Sequence, residues 1–274
     1  MRPVVLVTGI NGLIGWSLFN LLKTQKVNVI GTYRKWHERF DPQRCFKTDL
    51  TNPKEIKTLL NEVNPTHILH ARSMCDLDVC ELAPELAYRI NVTGTQYFCE
   101  ASQRLTRLQR FVYFSTDHVF SGEKGNYTES DLPEPKHVYG RTKLEAEKIV
   151  IQSAVPYLII RPGLLIGQSV QGNKGPHDFL ISRLKAGKQT HLFTDEWRTP
   201  IDLEEFAKQA MDLIARAEQG IYHIAGQTRI NRYDLGVQIA KENGLPTALV
   251  MSRKRHEDQW AQIRPKDLSL VSTE

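Results

Sequence analysis

A run of aliphatic and β-branched residues, Val4-Val5-Leu6-Val7-Thr8, leads without a break into Gly9, and Gly12 and Gly15 follow around the start of an apolar-periodic stretch. That order reads as a buried strand, a tight turn and a helix. The glycines have separate physical uses. Gly9 allows the turn, Gly12 lets backbone N–H groups approach a pyrophosphate, and Gly15 lets the helix pack closely on the strand. Asn11, Leu13 and Ile14 complete the loop. The spacing differs from the G-x-G-x-x-G of ordinary dinucleotide-binding dehydrogenases. The loop therefore points to a nucleotide cofactor without fixing the class of enzyme.

Alternation of short apolar runs with longer amphipathic ones continues for about the first 160 residues, as it does in a parallel sheet with crossover helices. The pattern predicts strands at Pro3–Val7, Val27–Gly31, His67–His70, Arg110–Phe114 and Tyr157–Arg161. It predicts helices at Leu13–Lys23, Pro53–Val63, Pro84–Arg104 and Val138–Ser153. The expected fold is α/β, a doubly wound, Rossmann-like parallel sheet with a smaller C-terminal substrate lobe. Residues 1–161 form the nucleotide-binding domain, residues 203–225 rejoin it through a helix (Leu203–Arg216) and a strand (Ile221–Ala225), and residues 162–202 and 226–274 form the lobe. A further helix is expected around Asp178–Ala186.

Composition excludes several alternatives. With 274 residues, 41% of them hydrophobic and 24% charged, the chain can bury a full core without disulfides. Its 4 cysteines, Cys45, Cys75, Cys80 and Cys99, form no C-x-x-C pair, and no metal site is expected. Polar Thr8, Asn11 and the glycines interrupt the apolar N-terminal run, unlike a leader, and no stretch approaches the roughly 18 apolar residues of a membrane span. A cytoplasmic protein is expected. The basic clusters Arg104-Arg107-Arg110 and Arg253–His256 accompany no nucleic-acid module and read as solvated faces, while a net charge of +5 suits an anionic cofactor and substrate.

Two later segments supply chemistry. At the end of the second strand a carboxylate would bond the ribose 2′-OH of NAD, whereas cations accommodate a 2′-phosphate. The chain has Arg34 and Lys35 there, which favours NADP(H). Asp49-Leu50 either approaches the adenine or, through Asp49, caps the following helix. Tyr139 and Lys143 stand four apart on a predicted helix and so share a face, where an ammonium could lower the phenol's pKa and hold the nicotinamide ribose. The strand Phe111–Phe114 delivers Ser115, Thr116 and Asp117 to the end of the sheet where open α/β folds bind ligands. Thr116 can hydrogen-bond a substrate oxygen while Tyr139 exchanges its proton. Asp117 either orients a substrate hydroxyl or caps the turn, and His118 either packs or contacts substrate.

Together these residues resemble the extended short-chain dehydrogenase/reductases, and more narrowly the dTDP-4-dehydrorhamnose reductases and their sugar-nucleotide relatives. The resemblance rests on Ser115–Phe120, Tyr127-Thr128-Glu129, the Tyr139–Glu147 helix, Arg161-Pro162, Asp78–Glu81, Asn91–Thr95 and Arg198-Thr199-Pro200. It implies hydride transfer from NADPH to the C4 ketone of a nucleotide-linked 6-deoxyhexose, with Tyr139 as proton donor, Thr116 assisting and Lys143 positioning the cofactor. It further implies that Gly12, Leu13 and Ile14 line the pyrophosphate and that Asp49 and Leu50 approach the adenine. Ala71, Arg72 and Ser73 would lie along the cofactor, and Thr116, Asp117, His118 and Arg198 would meet the sugar. The family usually has a small residue at Arg72 and an aromatic one at His118, and relatives continue with helical sequence past a segment like Ile263–Leu270, where this chain stops at Glu274. A homodimer through Pro84–Arg104 and Val138–Ser153 would fit the superfamily. The alternatives are a non-catalytic NADP-binding regulatory subunit like the β subunit of methionine adenosyltransferase, or a nucleotide-sugar epimerase or dehydratase. Dehydratases usually carry Glu where His118 stands.

Overall fold

Every residue of Arg110–Phe114 is buried, as a strand covered on both faces requires. The computed structural model describes residues 3–216, 219–260 and 263–272, so Met1, Arg2 and the terminal Glu274 lie outside the described residues. The first half runs β1 (Val4–Thr8), α1 (Leu13–Thr24), β2 (Asn28–Tyr33), β3 (Cys45–Lys47), α2 (Pro53–Val63), β4 (His67–His70), α3 (Leu77–Leu82), α4 (Pro84–Tyr88), α5 (Gly94–Ser102) and β5 (Arg110–Phe114). The second half runs α6 (Val138–Gln152), β6 (Tyr157–Pro162), β7 (Leu165–Ile166), α7 (Gly175–Lys185), β8 (Thr190–Phe193), β9 (Trp197–Arg198), β10 (Ile201–Asp202), α8 (Leu203–Ala215), β11 (Gly220–Ile224), β12 (Ile230–Asn231), α9 (Arg232–Glu242) and β13 (Val250–Arg253).

Seven strands form one parallel sheet in the order β11-β6-β5-β4-β1-β2-β3. The order reverses between β1 and β4, so a crevice opens beyond their C-terminal ends, at Gly9 and Ala71. Side chains alternate across the sheet. Val112 and Phe114 of β5 join Leu18, Phe19 and Phe206 of α1 and α8 on one face. Phe111 and Tyr113 join Ile56, Phe98 and Val150 of α2, α5 and α6 on the other. The strand expected at Ile221–Ala225 is β11, which pairs with β6 in the main sheet.

The stretch expected as one helix over Pro84–Arg104 is instead α4, a wide π-helical turn at Arg89–Thr93, and α5, which ends at Ser102. The cause is local. A Cβ at Gly94 would meet the Leu50 carbonyl at 2.8 Å, and the wide turn turns Asn91 inward. There its side chain accepts from Met74 N at 2.7 Å and donates to Thr142 Oγ1 at 3.0 Å.

After β6 the chain builds a smaller apolar cluster from Leu180 and Leu184 of α7, Leu235, Ile239 and Ala240 of α9, and Val250. The parallel pair β8–β13 and the antiparallel pair β9–β12 frame it. α9 was not predicted, because its apolar positions are interrupted by polar ones. It starts where the Asn231 side chain accepts from Asp234 N. No helix among the described residues is long and apolar enough to cross a membrane.

Candidate functional site

The glycine loop is shaped by close approach. Gly9 has φ 72°, and a Cβ there would lie 2.9 Å from Arg72 Cα, while one at Gly15 would lie 2.4 Å from the Gly9 carbonyl. α1 begins at Leu13 with Gly12 as its N-cap and no side-chain cap, so the N–H groups of its first turn face the crevice. Asn11 braces the second strand's end against this loop. Its Oδ1 accepts from Arg34 N at 3.0 Å and Lys35 N at 3.4 Å, and its Nδ2 donates to Lys35 O at 2.7 Å. Arg34 and Lys35 are exposed beside the loop.

At the end of β4, Thr8 Oγ1 accepts from Ala71 N and Arg72 N, each at 3.1 Å, which leaves its own proton for His70 Nδ1 at 3.0 Å. His70 then carries its proton on Nε2 and donates to Thr95 Oγ1 at 3.2 Å, and Thr95 donates to Asn91 O at 2.7 Å. Burial, helped by the charges of Lys143 and Arg72, pushes His70 down to about 3, so it stays neutral. Asn91 passes the chain to Thr142, whose hydroxyl donates to Tyr139 O at 2.8 Å.

Arg72 is half-buried and donates to Ser73 O at 3.1 Å; burial and then the nearby Arg34 charge lower its pKa. Ser73 Oγ donates to Asn91 Oδ1 at 3.2 Å. Asp49 does not cap α2, since Asn52 fills that position and accepts from Lys54 N. Its carboxylate instead accepts from Thr51 N and Thr51 Oγ1, which holds its pKa down. Leu50 is a core residue.

α6 brings Tyr139 and Lys143, both buried, under the end of β5. Their relation departs from the expected ammonium–phenol pairing. Lys143 Nζ donates to Phe114 O at 2.6 Å and lies 4.0 Å from the centre of the Tyr113 ring. Burial drives Lys143 down to about 7, with the Glu147 charge opposing. Burial likewise raises Tyr139 well above the ordinary phenol, with the neighbouring Thr116 hydroxyl pulling the other way. Tyr139 is thus a protonated donor, as delivery of a proton requires. Cys75 is exposed at the same cleft, close enough to Tyr139 and Lys143 to interact with both electrostatically.

Thr116 donates to Asp117 Oδ1 at 3.1 Å, and its Oγ1 accepts from His118 N at 3.2 Å. Asp117 is buried, and its Oδ2 has no hydrogen-bond partner. Arg198 Nε lies 3.7 Å from that Oδ2, while Arg198 Nη2 pairs with Glu196 at 2.9 Å. Arg232 Nε stands 3.9 Å from the same Glu196 oxygen. Arg198, expected to meet the sugar, is a buried counter-charge to two carboxylates. β9 and β12 hold this cluster together by pairing Arg198 with Ile230 and Trp197 with Asn231. His137, Glu196 and Arg232 were not singled out in the sequence, and Asn91 and Glu147 stood there only within matching segments, without a role. His137 and Glu147 lie one turn or less from Tyr139 and Lys143 and carried a signal; Glu196 and Arg232 meet only through strand pairing.

Burial raises Asp117 to about 6, Arg198 resisting. A raised carboxyl stabilises the fold below its unfolded value of 3.8 and loses that contribution as pH rises through about 6. Melting temperatures across that window should fall for wild type relative to Asp117→Asn, whose side chain does not ionise. Parallel curves would show that Asp117 is not raised.

Residues 1–274 match the family model described as RmlD substrate binding domain. The chain is 31% identical to a probable low-salt glycan biosynthesis reductase of Haloferax volcanii, over 95% of this chain and 87% of that protein. It is 26% identical to methionine adenosyltransferase 2 subunit beta of Xenopus laevis, over 89% of this chain and 73% of that protein. A crystal structure of dTDP-4-dehydrorhamnose reductase from Bacillus anthracis in complex with NADP has the same fold, with a TM-score of 0.88 at 24% identity, covering 100% of this chain and 92% of that one. With its whole length matched and its sheet order, glycine loop and tyrosine-lysine helix in place, the chain belongs to the RmlD substrate binding domain family.

Proposed function

We propose that this chain is an NADPH-dependent reductase of a nucleotide-linked 4-keto-6-deoxy sugar. The observation that carries the reading is the gathering of buried Tyr139 with Thr116 at the end of β5, with Lys143 one turn further along the same helix. The crevice fits the cofactor: a Cβ at Gly15 would strike the Gly9 carbonyl, and the first turn of α1 has no side-chain cap. Leu13 and Ile14 would hold the pyrophosphate with Gly12, Arg34 and Lys35 the 2′-phosphate, and Lys143 with Tyr139 the nicotinamide ribose. Ala71, Arg72 and Ser73 would line its length, and Asp49 and Leu50 would lie toward the adenine. When bound, NADPH supplies the hydride. Tyr139 gives its proton to the carbonyl oxygen, and Thr116 holds that oxygen in place. Lys143, lowered to about 7 by burial, is held protonated by the negative charge of the phenolate, taking its proton from solvent, and offsets that charge. The related reductase of H. volcanii supports the reaction class, and the NADP complex of the B. anthracis enzyme supports the cofactor.

The test is oxidation of NADPH with a panel of nucleotide-linked 4-keto sugars. Arg34→Ala should weaken NADPH binding by about 10- to 100-fold, the loss of one charge-assisted hydrogen bond, and leave NADH binding unchanged. Equal loss for both cofactors would remove Arg34 as the reader of the 2′-phosphate. The likeness to methionine adenosyltransferase 2 subunit beta supports a second reading, a cofactor-bound regulatory subunit. NADPH binding with no turnover of any ketone, and co-purification with another enzyme, would favour it.

A further inference from the structure

His118 and His137 form a directed pair beside the reacting groups. His137 is the N-cap of α6, and its Nδ1 accepts from Gly140 N at 3.1 Å. A ring nitrogen that accepts bears no proton, so neutral His137 carries its proton on Nε2. That nitrogen lies 2.8 Å from His118 Nδ1. His118 Nδ1 is therefore the acceptor, and His118 must carry its own proton on Nε2. The arrangement requires both rings to be neutral. Burial keeps them so, holding His137 at about 4 and His118 well below its ordinary value, with Arg198, Arg232 and Arg264 adding to the effect on His118.

His118 Nε2 lies 4.0 Å from Asp117 Oδ1, and the His118 side chain is 15% exposed. Asp117 Oδ1 is occupied by Thr116, while its Oδ2 is buried without a hydrogen-bond partner. The Tyr139 ring stands edge-on to His118 at 5.8 Å. A donor and an unsatisfied acceptor thus sit side by side, next to the hydroxyls that receive the carbonyl oxygen. A substrate hydroxyl both donates and accepts, and the one nearest the reacting oxygen is on the adjacent carbon.

Building on the reductase reading, we propose that His118, its tautomer set by His137, recognises a hydroxyl on the carbon next to the reacting carbonyl, donating through Nε2–H while Asp117 accepts. The preferred substrate is then an α-hydroxy ketone. His118 is a specificity-determining residue, and His137 is a positioning residue that acts through it.

The experiment compares a nucleotide-linked 4-keto-6-deoxyhexose with the same compound lacking the 3-hydroxyl, at saturating NADPH. Wild type should favour the hydroxylated ketone by about 10- to 100-fold in kcat/KM, the cost of leaving buried polar groups unpaired. His118→Phe, which keeps a ring and removes the donor, should collapse that preference while turnover of the deoxy compound persists. His118→Gln, which keeps an N–H at similar reach, should restore part of it. His137→Ser retains a helix-capping oxygen but is too short to reach His118. It should lower the preference and let the His118 tautomers mix, read by nitrogen NMR of labelled histidine. A structural role alone would lower the melting temperature without touching the preference or the tautomer. Equal turnover of both ketones by wild type, an undiminished preference in His118→Phe, or an Nδ1–H tautomer at His118 would overturn the inference while the reductase reading stands. No turnover of any ketone would remove both.

Discussion

Replacing Tyr139 by Phe is expected to lower kcat by about 10²- to 10⁴-fold, the span typical for loss of a general acid. NADPH binding should be nearly unchanged, because the ring remains and only the hydroxyl is lost. The structure gives a reason to expect the upper part of that range. Tyr139 is buried beside Thr116, so water is a poor substitute for the lost hydroxyl. Steady-state kinetics with any ketone that the wild type reduces would check it. A variant with activity within a few-fold of wild type would mean that another group, Cys75 or a water, delivers the proton.

Glu147→Leu is expected to be the most destabilising single change near the site, costing about 3–5 kcal/mol. The Glu147 carboxylate takes Arg161 Nε at 3.0 Å and Nη2 at 2.7 Å, with both side chains almost wholly enclosed, and also accepts from Ser115 Oγ. Removing it leaves a buried guanidinium over the Phe120 ring, with its Nη1 already unpartnered. The double variant Glu147→Leu/Arg161→Met takes both charges out together and should recover most of the loss, because an apolar pair avoids the desolvation penalty of an ion pair. Denaturant titrations of the two variants decide the point. If the double variant is as unstable as the single, the cost arises from cavity or Ser115, not from the stranded charge. Glu147 also opposes the burial-driven fall of Lys143, so the single variant should move the basic limb of any pH–rate profile downward.

Much of this was legible in the residues because the signals were local. The strand–turn–helix of Gly9 to Gly15 and the four-residue spacing of Tyr139 and Lys143 are written in consecutive sequence, and the strands His67–His70 and Arg110–Phe114 fall where continuous apolar runs placed them. What was missed depends on partners far along the chain. The wide turn at Asn91 exists because that side chain reaches Met74 and Thr142, and no periodicity reports such a reach. Lys143 was expected beside the phenol because both face the same way on the helix, yet the nearest strong acceptor is the Phe114 carbonyl, supplied by β5. The ion pairs of Arg198 with Glu196 and Asp117 were likewise not legible, since the three meet only after β9 and β12 pair.

The hydrogen-bonded relay from Thr8 through His70, Thr95, Asn91 and Thr142 to the Tyr139 carbonyl runs from the first strand to the helix that bears Tyr139 and Lys143. Its members come from four separate segments, and each needs its neighbour to present the matching donor or acceptor. The half of the crevice built around Gly9 and the half built around Tyr139 therefore cannot be exchanged as modules. A chimera taking its first strand and glycine turn from a relative without a hydroxyl at Thr8, or without a neutral imidazole at His70, would carry every recognisable motif and still hold its catalytic helix by a broken tether.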